Sequence, residues 1–181
     1  PGGELLTGGE TGSRLAKRAG QTPFYAYDRQ AISMRVAALR AALPEAVEIH
    51  YAIKANPMAA VLGHVQPLVD GFDVASAQEM RAALDSGMPA AEISFAGPAK
   101  RIGELESAIG AGICINCESE TELKRVRDIA TQQSLPARVA IRVNPDFELK
   151  GAGMKMSGSA KQFGIDAERV PAAMKTAVDY G

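Results

Sequence analysis

The sequence predicts an α/β chain built on a parallel sheet, and three observations predict it. Short apolar segments start at positions 49, 71, 93, 113 and 138, so successive starts lie 22, 22, 20 and 25 residues apart. Each segment is followed by a stretch with helical periodicity, the pattern of consecutive βαβ units. Three of the segments also carry a charge at or near their C-terminal end: Lys54, Asp73 and Arg142. Phe72 and Val74 flank Asp73, and Ile141 and Val143 flank Arg142. Side chains alternate across a strand, so the charges take one face and their apolar neighbours the other.

The chain has 181 residues, 46% of them hydrophobic and 23% charged, with a formal net charge of -1 and no tryptophan. That length and composition suit one ordinary domain with a sizeable core. The absence of a basic excess argues against an electrostatic nucleic-acid binder. No apolar run reaches membrane-spanning length and no signal-peptide pattern is evident, so a cytoplasmic location is expected.

Residues 1–20 are glycine-rich, with a short helix expected near Ser13–Arg18. Thr22-Pro23-Phe24-Tyr25-Ala26-Tyr27-Asp28 reads as an extended segment ending at an N-cap, because Asp28 can accept from the free amides of a following helix. That helix is expected from Arg29 to Leu43, with Ile32, Val36, Leu39 and Leu43 on one face and Pro44 as its stop. A strand over 49–54 follows, closed by Asn56-Pro57. An apolar helix near Ala59–Val69 leads to a strand at Gly71–Ala75. Ser76 and Glu79 have capping-box spacing at the start of the next helix, which Ser86-Gly87-Met88-Pro89 breaks. A third strand (Ile93–Gly97), a helix (Arg101–Gly110) and a fourth strand (Ile113–Cys117) come next. Ser119 and Glu122 repeat the capping box, and Arg138–Val143 is the fifth strand. A glycine-rich loop covers about 145–164, and a last helix starts near Ala167.

Two architectures compete for five such units. A doubly wound sheet would spread the strands' polar residues over two faces and place a glycine-rich turn after its first strand. Ala55-Asn56-Pro57-Met58 offers no such turn. A (β/α)₈ barrel gathers Lys54, Asp73 and Arg142 at one mouth, the C-terminal end of its strands. The barrel is therefore preferred, although eight units take about 250 residues.

Cys114 and Cys117 are the two cysteines. Their C-x-x-C spacing suggests zinc or redox chemistry. On a strand, however, an odd offset puts them on opposite faces, and two ligands fall short of four. They read as small buried residues. His50 and His64 read as packing residues without evident partners, and Met58, Met80 and Met88 as core fillers. Lys54 closes an apolar strand beside Ala52 and Ala55, which leave room against its amine. A desolvated lysine loses its charge more readily, and a neutral amine attacks carbonyls. A lysine that snorkels from a strand end is the plainer alternative.

Tyr51-Ala52-Ile53-Lys54-Ala55-Asn56-Pro57 resembles the cofactor-lysine motif of pyridoxal-phosphate decarboxylases of the alanine-racemase fold group, such as diaminopimelate and ornithine decarboxylases. Several other segments are similar to the same family: Thr22–Asp28, Phe72-Asp73-Val74-Ala75-Ser76 with Glu79, Ile113–Ser119, Arg142-Val143-Asn144-Pro145 and Gln162-Phe163-Gly164-Ile165. The run Phe147–Met156 is closest to a subgroup associated with bacterial exosortase and exopolysaccharide loci.

The resemblance implies the N-terminal part of an alanine-racemase-like TIM barrel, about five of eight βα units. Residues 1–28 would be a lead-in belonging with a β-domain, and residues 29–181 the partial barrel. Pyridoxal 5'-phosphate would be the cofactor and Lys54 the catalytic residue, joined to it as a Schiff base. Asp73 would lie beside lysine and cofactor and help set their protonation, and Arg142 would hold charge near cofactor or substrate. Each has a plainer reading: Asp73 as a strand-end cap, Arg142 as a bridge to Asp73 or Glu79, and Glu79 as a helix cap. No metal is implied. The family's stacking histidine, pyridine-nitrogen acid, phosphate loop and β-domain come later than position 181, so the chain is expected to be an inactive part of a larger enzyme.

The function expected from the resemblance is a diaminopimelate decarboxylase-like carboxy-lyase acting on a small-molecule amino-acid substrate, as a homodimer when full-length, with no nucleic-acid or membrane partner. A non-decarboxylating pyridoxal-phosphate barrel serving cofactor homeostasis and an amino-acid racemase are the alternatives. The racemase motif normally continues into tyrosine-glycine-histidine, which Ala55-Asn56-Pro57-Met58 does not match. A non-enzymatic interaction module is the broader alternative. Diaminopimelate, ornithine, lysine, arginine and carboxylated siderophore precursors all stay open as substrates.

Overall fold

In the computed structural model of the chain, residues 3–145 and 163–179 are described. The run Phe147–Met156, Gln162 and most of the glycine-rich loop lie outside them, as do Tyr180 and Gly181. A two-stranded antiparallel ribbon, β1 (Leu6–Thr7) and β2 (Glu10–Thr11), opens the chain and runs into α1 (Gly12–Ala19). Asp28 then caps α2 (Arg29–Ala42): its carboxylate accepts from the amides of Gln30 and Ala31, and also from Gly8. Ile32 and Val36 are partly buried, but Leu39 is 47% exposed, so the apolar face of α2 is narrower than its periodicity suggests.

The repeat then unfolds in order. It comprises β3 (His50–Ala52), α3 (Ala59–Val65), β4 (Gly71–Val74), α4 (Ala77–Asp85), β5 (Ile93–Phe95) and α5 (Ile102–Ala111). After these come β6 (Cys114–Cys117), α6 (Glu120–Gln133) and β7 (Val139–Ile141). The five strands β3 to β7 pair in parallel in sequence order. Right-handed crossovers between sequential neighbours put every helix on one side of the sheet. In accord with this, α3, α4, α5, α6 and α7 (Val170–Asp179) pack each against the next. A doubly wound sheet would reverse its order at the centre. The sequential order is that of a barrel wall.

The core lies between sheet and helices. Phe72, Val74, Ile93, Phe95, Ile115 and Cys117 point into it, and Val61, Leu62, Met80, Leu105, Leu123 and Val126 meet them from the helices. Met80 and Met88 are core fillers as expected, but Met58 is 45% exposed on the turn before α3. The serine half of each capping box forms, while each glutamate reaches one residue further back, to the N–H before the cap. The Ser76 hydroxyl accepts from Glu79 N–H and the Glu79 carboxylate from Ala75 N–H, while Ser119 accepts from Glu122 N–H.

Two strands end sooner than expected. In β3 the backbone turns into a single 3₁₀ turn, Ile53–Ala55, and Asn56, the residue before Pro57, ends that turn in an extended conformation. Asn56 completes the stop by accepting from Met58 N–H. At the other edge β7 stops at Ile141, and Arg142 switches the chain between sheets. Its N–H donates to Cys117 O, and its carbonyl accepts from Ile165 N–H. There β8 (Val143–Asn144) pairs with β9 (Ile165–Asp166). The approach is close enough that a Cβ on Gly164 would come within 2.9 Å of Arg142 O, and its φ of +81° also favours glycine.

Candidate active site

The C-terminal ends of the strands carry two clusters. The first is built on β3 to β5. Ile53, fully buried, pins the 3₁₀ turn to the core and leaves Lys54 exposed beside it. Among the described residues the Lys54 amine has neither a hydrogen bond nor an ion pair. Across the ladder Ala52 stands opposite Asp73, Asp73 opposite Ser94, and Ser94 opposite Cys114. These side chains share the sheet face that points away from the helices. The Ser94 hydroxyl donates to the Asp73 carboxylate. The His50 ring stands on the other side of that carboxylate, its Nδ1 4.0 Å away and its Nε2 3.5 Å from Glu48. Gly71 makes room, since a Cβ there would strike the imidazole.

The second cluster lies at the ends of β5 to β7. Arg142 Nη1 is 3.1 Å from both oxygens of Glu118, and the Phe163 ring lies 4.9 Å from its Cζ. Glu118 is buried and also accepts from Gly97 N–H at 2.7 Å. Beneath it Lys100, with a side chain only 1% exposed, spends all its donors: on Gly97 O at 2.8 Å, Asn116 O at 2.7 Å and the Glu122 carboxylate at 3.1 Å. Glu122 in turn accepts from Glu118 N–H. A buried charge persists only when it is paired and hydrogen-bonded, and this network meets that condition.

Lys54, Asp73 and Arg142 thus sit along one edge of the sheet. Lys54 and Asp73 come from adjacent strands, whereas Arg142 is three strands from Asp73. Arg142 does not bridge to Asp73 or Glu79; its partner is Glu118, and Glu79 serves as the cap. The histidines do have partners. His64 Nε2 is 3.0 Å from both Ser33 Oγ and Arg29 O and ties α3 to α2. The cysteines take opposite faces, and burial, reinforced by the charge of Glu122, pushes the Cys117 thiol up to about 12. No group of metal-ligating side chains occurs among the described residues. Local sequence pattern does not reveal Lys100, Glu118 and Glu122 as a network. A charged residue in or beside a loop reads as solvated, and Glu122 carries no signal beyond its capping position.

The donor set fits pyridoxal phosphate. Among the described residues the Lys54 amine is unpaired and available for an aldehyde, and the Asp73 carboxylate and Arg142 guanidinium lie along the same sheet edge.

The description "pyridoxal-dependent decarboxylase, pyridoxal binding domain" matches residues 29–180. The chain is 38% identical over 161 residues to an L-glutamyl-[BtrI acyl-carrier protein] decarboxylase of Niallia circulans, an alignment covering 88% of this chain and 37% of the relative. It is 36% identical to a diaminopimelate decarboxylase of Neisseria meningitidis, over 84% of this chain and 38% of that one. Among solved structures, diaminopimelate decarboxylase from Helicobacter pylori complexed with L-lysine superposes with a TM-score of 0.86. There the identity is 28%, over 93% of this chain and 44% of that one. The chain spans about two fifths of the length of these relatives. With the strand order, the lysine turn and these matches together, the chain belongs to the pyridoxal-dependent decarboxylase family, within its pyridoxal-binding domain.

Proposed function

We propose that the whole protein is an amino-acid decarboxylase and that Lys54 anchors its pyridoxal phosphate. The observation that carries this reading is the exposed Lys54 amine, unpaired among the described residues, on the turn ending β3 and one strand from a carboxylate that accepts from Ser94 and lies 4.0 Å from His50. Bound pyridoxal phosphate supplies the electron sink for the pair left when carbon dioxide departs. The chain's own residues do the rest. Lys54 offers the nucleophilic nitrogen and, once displaced by substrate, a proton carrier at the same spot. Asp73, whose carboxylate accepts from the Ser94 hydroxyl, places an acceptor on the neighbouring strand. Arg142 offers its planar fork of donors to an anionic group of cofactor or substrate.

Family membership supports further parts of the reading. Residues 1–28 form a lead-in to a β-domain, which agrees with a family match that begins at Arg29. The protein works as a cytoplasmic homodimer, an inference resting on the family alone. The relatives' names leave the substrate as an amino acid, either free or on a carrier protein. Borohydride reduction of the loaded protein followed by peptide mass spectrometry should find the cofactor on Lys54. Carbon dioxide release across a panel of free and carrier-bound amino acids then names the substrate. Cofactor found on another lysine, or bound equally well by Lys54→Ala, would refute the assignment.

A further inference from the structure

The network under Arg142 is more elaborate than the fold needs. Lys100, Glu118 and Glu122 are all buried, and together with Arg142 their formal charges cancel. Buried ion pairs add little stability over apolar residues of the same size. The geometry of this one converges on a single group. Lys100 holds the Gly97 carbonyl and the Glu122 carboxylate. Gly97, at φ +120°, turns its N–H onto the Glu118 carboxylate, and Glu122 takes the Glu118 backbone N–H. Glu118 is therefore clamped at both ends, and both clamps lead back to Lys100. Its remaining capacity goes to Arg142 Nη1, while Phe163 covers one face of the guanidinium. A guanidinium has five donors in a rigid fork. Among the described residues its Nε and Nη2 donors meet no partner.

We propose that Lys100 and Glu122 are positioning residues for Arg142. Acting through Glu118, they aim the open edge of its guanidinium at an anionic group of cofactor or substrate. The aim of that edge rests on the function proposed above; the clamp itself does not. A guanidinium held on one edge and one face loses little freedom when its other edge binds, which is the advantage of a preorganised site.

Two measurements separate these layers. In the cofactor-free full chain, the phenylglyoxal labelling rate of Arg142 is read by mass spectrometry against exposed Arg81 as internal standard. In Glu122→Gln the ratio should rise about threefold or more, the size of coupling expected between linked groups. Should that variant fail to fold, the double Lys100→Met/Glu122→Met removes both charges together and should raise the ratio in the same way. A purely structural role would lower the melting temperature of either variant and leave the ratio unchanged; that result overturns the proposal. In the loaded protein, Glu122→Gln should weaken pyridoxal phosphate or raise KM only while Arg142 is present, with no added effect in an Arg142→Gln background. Equal effects in both backgrounds overturn the transmission through Glu118. A raised labelling ratio with Arg142→Gln harmless to both constants supports the clamp and refutes the cofactor-facing role of Arg142.

Discussion

Lys54 and Lys100 each follow a strand of the same parallel sheet, yet they do opposite things. Lys54 sits on a turn pinned by Ile53, its amine exposed and unpaired among the described residues. Lys100 is buried, with all its donors taken by two carbonyls and a carboxylate. Its stem also passes the Phe95 ring, with Nζ 5.5 Å from the centroid. A lysine becomes a nucleophile by having a lone pair to offer, and burial alone does not supply it. Lys100 has no donor and no space left for a further group. The comparison teaches that two lysines at one sheet edge can differ wholly in the hydrogen-bonding capacity they leave open, and the proposed function rests on the one that leaves it open.

The largest effect should come from Lys54→Ala. It should remove covalent cofactor attachment and lower decarboxylation at least ~100-fold while leaving the melting temperature nearly unchanged. A large drop in melting temperature would show that Lys54, too, is structural. Lys100→Ala should do the reverse and destabilise the fold by about 3–5 kcal/mol in urea titration, because it strands Glu122 as a buried, unpaired charge. If that variant melts like the parent, the burial argument fails. Phe72→Ala, in the core beneath Asp73, should cost a similar ~3–5 kcal/mol through the cavity it leaves. Ser76→Ala should cost about 1 kcal/mol, the value of one helix cap.

The smallest effect concerns the cysteines. Burial raises both thiols above the ordinary cysteine range, Cys117 to about 12. The folded chain therefore holds the thiol proton that the unfolded chain releases. The resulting stability is complete below about pH 9 and is lost as pH rises from there toward 12. Replacing Cys117 by alanine should flatten that part of a stability-against-pH curve, and native Cys117 should resist iodoacetamide at pH 8 until the chain unfolds.

Much of this was readable without coordinates, for local reasons. Period-two alternation around Phe72, Asp73 and Val74 separates the two faces. Ser76 with Glu79 and Ser119 with Glu122 mark helix starts, because a capping box needs only residues three apart. Asn56-Pro57 marks the end of the lysine strand, though not that Lys54 would leave it for a 3₁₀ turn. The pairing of Glu118 with Arg142 and of Lys100 with Glu122 was not readable. Each joins residues more than twenty positions apart, and no local pattern selects one partner among many charges. His64 against Ser33 and Arg29 is hidden for the same reason, as α2 and α3 lie a whole strand apart in the chain.

The sequence by itself determined the succession of strands and helices, the polar face of the sheet and the lysine at its edge. Those depend on spacings of two to four residues, which the backbone's own geometry converts into faces and caps. Only the tertiary structure decided which charges meet. Parallel neighbours twenty or so residues apart bring Glu118 to Arg142 and bury Lys100 beneath them, and the free energy of a buried charge depends on the partners that surround it.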